Sequence, residues 1–168
     1  MITGAAAGQV PVIVGAIETT TNRAIERADA AAGFGADAVV ATAPFCTRTH
    51  GSEIDRHFRD IAAAVDLPLL AYDVPVCVHS MLDPELLLPL AADGVIAGVK
   101  DSGGDNGSFR RLAIGARELP GFSLLTGHEL VVDVMMPEAC GPGRLTHRGR
   151  GGTGRGRGGE GRGGKWKA

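Results

Sequence analysis

Five short apolar runs recur along this chain at intervals of about 27 residues, and a helix-like segment follows each one. The runs are residues 10–16, 38–43, 68–74, 95–99 and 122–126, rich in Val, Ile, Leu and Ala. Thr19 to Thr21 and Asn22 offer N-caps for a first helix carrying Ala24, Ile25, Ala28, Ala31 and Ala32 on one stripe, closed by Gly33 and Gly35. Ser52 with Asp55 reads as a second helix start, and Ile54, Phe58, Ile61, Ala62 and Val65 mark its apolar face. Asp83-Pro84 is an N-cap with proline at the first helical position. Further helices are expected over residues 105–119 and 129–136. Apolar strands joined by helices require a parallel sheet covered by those helices. The fold class is therefore α/β: an open doubly wound sheet, or part of a (β/α)8 barrel. A complete barrel takes eight units and about 250 residues. Only five units are visible in these 168 residues, so the barrel alternative predicts an incomplete barrel.

Charge divides the chain into two regions. Residues 1–140 carry nine Lys and Arg against eighteen Asp and Glu, whereas residues 141–168 carry eight basic residues and one acid, Glu160. Twelve of the 26 glycines fall in that last stretch. The expected organisation is an α/β domain over residues 1–136 and a Gly/Arg-rich tail over 137–168, whose composition cannot bury enough apolar surface to order itself. The Arg-Gly repeats resemble RNA-binding segments, but Trp166 is the only aromatic residue available there for stacking, so nucleic acid is not the expected partner. The tail reads instead as an out-of-frame stretch of GC-rich DNA. No apolar run approaches the roughly 18 residues of a membrane span, and no secretion signal opens the chain. Three widely spaced cysteines, Cys46, Cys77 and Cys140, fit neither a zinc motif nor a paired disulfide framework, so a cytoplasmic location is expected.

Two residues stand out for chemistry. Lys100 is the only lysine before residue 165, and Tyr72 is the only tyrosine. Each closes an apolar run, and in parallel α/β folds the carboxyl ends of strands are where reactive groups collect. An amine partly removed from water has a lowered pKa and can attack a ketone to form a Schiff base. A neighbouring phenol can move the protons that carbinolamine formation and breakdown require. Other signals are weaker. Residues 101–107 look like a calcium loop, but Asn106 stands where glycine is needed and Leu112 where glutamate is needed. The glycines could cradle a phosphate, and the plain reading is a loop entering a helix. His57, four residues after Glu53, reads as half of a surface pair rather than a metal ligand. His79 and His128 lie near strand ends, where they could line a pocket or simply sit in loops.

The segments Ala71-Tyr72-Asp73-Val74-Pro75 and Gly98-Val99-Lys100-Asp101-Ser102, in this order and spacing, resemble the dihydrodipicolinate synthase and N-acetylneuraminate lyase family. Val10-Pro11-Val12-Ile13-Val14-Gly15, Gly35-Ala36-Asp37-Ala38, Ala43-Pro44 and Leu125-Thr126-Gly127 fit the same pattern, and the resemblance runs over about residues 9–136. It implies a (β/α)8 barrel, here its strands three to seven, and a homo-oligomeric, pyruvate-handling class I aldolase or lyase without a metal or organic cofactor. It also implies that Lys100 is the Schiff-base lysine and Tyr72 the proton relay. The expected partner is a small 2-oxo acid; no membrane partner is expected. Three departures bear on the substrate. No Gly-Thr-Thr-Gly-Glu-like carboxylate loop precedes Val10, Val76-Cys77 replace the synthases' Gly-Arg pair after Pro75, and Phe45-Cys46 replace tyrosines after Pro44. A synthase acting on the same second substrate is therefore not expected. The alternative from another class is a catalytically inactive remnant or interaction protein with a basic tail.

Overall fold

A computed structural model describes residue 6 and residues 8–127. Five strands alternate with helices: β1 (Ile13–Gly15), α1 (Thr21–Gly33), β2 (Ala38–Ala41), α2 (Gly51–Ala64), β3 (Leu69–Asp73), α3 (Pro75–Val78), α4 (Pro84–Ala92), β4 (Gly98–Asp101), α5 (Asn106–Gly115), a 3₁₀ turn (Ala116–Glu118) and β5 (Ser123–Thr126). All four pairings are parallel, and the spatial order follows chain order, β1-β2-β3-β4-β5. That order separates the two folds the sequence leaves open. Right-handed crossovers that always step to the next strand in the same direction place every helix on the same face, whereas a doubly wound sheet reverses direction at a switch point. The arrangement is singly wound: among the described residues, four successive strand–helix units and a fifth strand of the (β/α)-barrel type.

The sheet therefore has two unlike faces. Cross-strand register places Val39, Leu69, Ala71, Asp73, Val99, Asp101, Leu124 and Thr126 on one side, and all are buried. This side packs on the helices. α1 turns Ala24, Ala28 and Ala31 inward, small side chains that allow close approach to the sheet. α2 contributes Ile54, Phe58 and Ile61, α4 Leu87 and Leu90, and α5 Phe109, Leu112 and Ala113. The opposite side carries Val40, Tyr72, Lys100 and Leu125, all half-buried.

Several element boundaries differ from expectation, for local reasons. β1 is shorter than residues 10–16, because the preceding segment is held not by the ladder but by Asp37, whose carboxylate accepts the Val12 N–H at 2.7 Å. β4 begins three residues late. Ile96 buries itself ahead of the strand, and pairing with β3 starts at Gly98. α2 opens at Gly51 rather than Ser52. Its start is set by Glu53, whose carboxylate accepts the His50 N–H at 2.7 Å. Pro75 ends β3 but also opens the short α3. The segment 105–119 divides into α5 and the 3₁₀ turn. Asp105 caps α5 by accepting the N–H groups of Gly107 and Ser108 at 2.9 and 3.1 Å, which makes residues 101–107 a loop into a helix. The helix expected at 129–136, His128, the boundary at 136 and the tail lie outside the described residues.

Candidate functional site at the carboxyl edge of the sheet

Strands β3 and β4 bring the two singled-out residues together. Tyr72 is the register partner of Lys100, so both project from the same, half-open face at the carboxyl end of the sheet. The Lys100 ammonium lies 5.3 Å from the centre of the Tyr72 ring. It donates to the Ser102 hydroxyl at 2.7 Å and to the Asp101 carbonyl at 3.1 Å. Burial pushes the amine below the ordinary lysine range, and the nearby Asp101 carboxylate opposes that shift. The result is an amine that is partly desolvated yet held by two acceptors, close to a phenol ring.

Ser102 and Gly127 complete this surround; in sequence each is visible only as the last residue of a matched segment. Gly127 at the end of β5 donates its N–H to the Asp101 carbonyl at 2.7 Å. A Cβ on Gly127 would lie 2.5 Å from the lysine amine and 2.7 Å from the Ser102 hydroxyl. Glycine there is a consequence of where the amine sits. Its visible trace in sequence is the Thr126-Gly127 pair closing the last strand.

On the other side of the same strand ends, Asp73 and Asp101 are also register partners, and both are buried. Asp73 accepts the Leu82 N–H at 3.1 Å, while its carbonyl takes the Ser102 N–H at 2.8 Å. Asp101 accepts from the Gly103 N–H at 3.2 Å. Burial raises the Asp73 carboxyl to about 6; the Leu82 hydrogen bond opposes the rise, and the charges of Asp101 and Asp83 add to it. This pair ties the loop after β3 and the loop after β4 to the strand that carries Tyr72. After β1, the buried Glu18 accepts the guanidinium groups of Arg27 and Arg23, and the Arg27 hydrogen bond leads in holding its carboxyl below the usual range.

His57 corrects the sequence reading. It is not half of a surface pair with Glu53 but a 2%-exposed bridge. Its Nδ1 lies 2.9 Å from the Thr21 hydroxyl and its Nε2 3.1 Å from the Thr42 carbonyl. A carbonyl can only accept, so Nε2 carries the proton and Nδ1 accepts from Thr21. His79 lies in the loop after α3, in the left-handed region at φ 57°, and lines a cleft between that loop and the loop after β2. Among the described residues no three His, Cys, Asp or Glu side chains are placed to hold a metal ion, and no helix is long and apolar enough to cross a membrane.

A singly wound parallel sheet with its lone core lysine and lone tyrosine at neighbouring carboxyl strand ends defines a protein of the (β/α)-barrel type with an amine-centred candidate site. The model of the dihydrodipicolinate synthetase family matches residues 1–144, and the chain belongs to that family. A DapA-like lyase of Halobacterium salinarum is 41% identical over 98 residues, which cover 58% of this chain and 32% of that protein. The 4-hydroxy-tetrahydrodipicolinate synthase of Aromatoleum aromaticum is 39% identical over 126 residues, 74% of this chain and 42% of that enzyme. Among solved structures, YagE of Escherichia coli K12, a prophage protein of the dihydrodipicolinic acid synthase family in complex with pyruvate, superposes with a TM-score of 0.79 at 25% identity. That match covers 87% of this chain and 49% of YagE. The chain spans less than half the length of these relatives.

Proposed function

We propose that this chain carries the reactive half of a Schiff-base lyase or aldolase acting on pyruvate or another 2-oxo acid. The observation that carries the reading is the Tyr72–Lys100 register pair, with the amine partly desolvated and 5.3 Å from the phenol ring. Lys100 attacks the ketone carbon in its neutral form, which its lowered pKa makes more abundant. The carbinolamine then loses its hydroxyl as water, leaving a protonated imine on Nζ. Tyr72 delivers the proton that this departing water needs and takes it back at the next step. The iminium then withdraws electrons from the adjacent carbon, so carbon–carbon bonds there form or break without another electron sink. The pyruvate held by the Escherichia coli relative supports the substrate class.

The second reactant differs, on this reading, from that of the synthases. At the positions of their Gly-Arg pair, Val76 and Cys77 lie exposed on α3 and offer no guanidinium. Cys46, at one of their tyrosine positions, sits in a left-handed turn at φ 66°.

Incubation with pyruvate and borohydride, followed by peptide mapping, tests the assignment. A reduced pyruvate adduct on Lys100 is expected. An adduct on Lys165 or Lys167 alone, or none, overturns it. With Tyr72→Phe the adduct should persist, while turnover falls by about 10²–10⁴-fold.

A further inference from the structure

The strand ends that carry Tyr72 and Lys100 on one face carry two acids on the other. Asp73 and Asp101 are register partners on β3 and β4, and both are buried. Their carboxylates meet at Gly103. A Cβ on Gly103 would lie 2.7 Å from the Asp73 Oδ2 and 3.2 Å from the Asp101 Oδ1, so the two oxygens converge on one point of the chain. Two carboxylates that share a water-poor site cannot both ionise cheaply, so one of them keeps its proton to higher pH.

The loop that holds the lysine amine is built on these acids. The Gly103 N–H donates to the Asp101 Oδ1 at 3.2 Å, and the Ser102 N–H donates to the Asp73 carbonyl at 2.8 Å. The Asp101 carbonyl and the Ser102 hydroxyl are in turn the two acceptors of the Lys100 amine. Asp73 is anchored from the far side by the Leu82 N–H at 3.1 Å. The charges acting on Asp73 are Asp101 on β4 and Asp83 at the start of α4, and burial leads both in raising its carboxyl to about 6. The charge acting on Lys100 is Asp101, which opposes the effect of burial, and Tyr72 is the titratable ring facing the amine.

We propose that Asp73 and Asp101 are positioning residues for the reactive amine: they share one proton against the loop at 102–103, and its loss puts a second negative charge behind Lys100. The inference rests on Lys100 being the nucleophile of the proposed reaction. As pH rises the shared proton leaves to solvent, and no other group is exchanged. A negative charge near an amine favours the ammonium form. The pair therefore restrains the gain in neutral amine that rising pH otherwise brings, and the acceptors of the amine move with the acids beneath them.

Trace acetylation with acetic anhydride from about pH 5 to 9, followed by peptide mapping, reads the Lys100 amine without pyruvate. Asp73→Asn keeps the shape of the pair and fixes its charge. The variant-to-parent ratio of Lys100 acetylation should be near one at the acid end and rise several-fold toward the alkaline end. In carboxyl and amide NMR of the parent, the Asp73 carboxyl should titrate near pH 6, and the Ser102 and Gly103 amides should follow it. Asp101→Asn should move the Asp73 midpoint to lower pH, because one of the charges that raise it is gone. A ratio that stays constant with pH, amide titrations that survive in Asp73→Asn, or an Asp73 midpoint unmoved by Asp101→Asn would overturn the proposal. Pyruvate trapping with cyanoborohydride over the same series should show the same rise in the ratio. Absence of any pyruvate adduct counts against the Schiff-base chemistry alone, since acetylation is read independently.

Discussion

At the residue scale, the strand ends hold groups whose ionisation and size are set by their neighbours. Asp73 gives the clearest pH dependence. Its folded pKa, about 6, lies above the ordinary aspartate value of 3.8, so the native state holds the proton more tightly than the unfolded chain. Stability from this group is therefore fully present below about pH 3.8 and is lost as pH rises through 6. Asp73→Asn keeps an oxygen for the Leu82 N–H and removes the buried charge. It should stabilise the protein at pH 7 by on the order of 2 kcal/mol, with little effect near pH 4, as read by denaturant melts at the two pH values. An equal change at both would show that the carboxyl ionises freely in the fold. Gly127→Ala makes a different prediction. The added methyl meets the far end of a flexible lysine, so the fold should lose under about 1 kcal/mol while pyruvate trapping on Lys100 falls several-fold. Retention of full trapping would mean that the amine rests elsewhere. Lys100 and Tyr72 were legible as candidates because each is the only residue of its kind in the α/β body, at a strand end. Ser102, Gly127 and the Asp73–Asp101 pair were not, because serine, glycine and aspartate are common in loops and only cross-strand register shows which of them meet.

At the element scale, the alternation of apolar runs and helical stripes revealed each strand among the described residues, while boundaries moved wherever a single side chain outweighed the pattern. Pro75 reads as a stop, yet with its fixed φ it also suits the first turn of a helix, and α3 begins there. Asp37 and Glu53 set the starts of β1 and α2 through backbone N–H groups that propensity does not reveal. His57 was misread because its spacing from Glu53 is that of a surface pair, although it is also the spacing of the buried stripe of α2, which includes Ile54, His57, Phe58 and Ile61. The bridge from α2 to Thr21 on α1 and to Thr42 after β2 depends on a neutral ring. Burial lowers the folded pKa of His57 below 6.5, against the opposing Thr42 hydrogen bond and the Asp60 charge. Its stabilising share is therefore present above about pH 6.5 and lost as pH falls through the folded value. In thermal melts from pH 7.5 to 5, the midpoint of the parent should fall relative to that of His57→Gln, a difference from which the opposite contribution of Asp73 cancels. A parent–variant difference that stays constant with pH would place the acid sensitivity elsewhere. Ala28→Leu would force extra bulk between α1 and the sheet and should cost about 1–3 kcal/mol.

At the scale of the whole molecule, the singly wound order buries one sheet face under helices and leaves the other half-covered among the described residues. The sequence could not decide between this and a doubly wound sheet, because strand order is a property of how units are placed and not of their composition. Among the described residues β1 is three residues long and pairs only with β2, and Ile13 on it is 44% exposed. β3 lies between two parallel neighbours and carries Leu69 and Ala71 buried. Hydrogen exchange should therefore be slowest in β3, intermediate in β2 and β4, and fastest in β1. Uniform protection across the five strands would indicate that β1 has gained a second partner. The Tyr72–Lys100 register pair also bears on how such a chain can change over time. The two residues are aligned by the ladder between β3 and β4 and not by the 27 residues that separate them in sequence, most of which lie in α3, α4 and their connecting loops. Insertions and deletions in that connection can lengthen or reshape the neighbouring cleft without altering the distance from amine to phenol. A one-residue slip within either strand would turn one of the two to the helix-covered side. Variation in length is therefore free in the connection and closed in the strands, so the surface that selects a ligand can diverge while the reactive pair keeps its alignment.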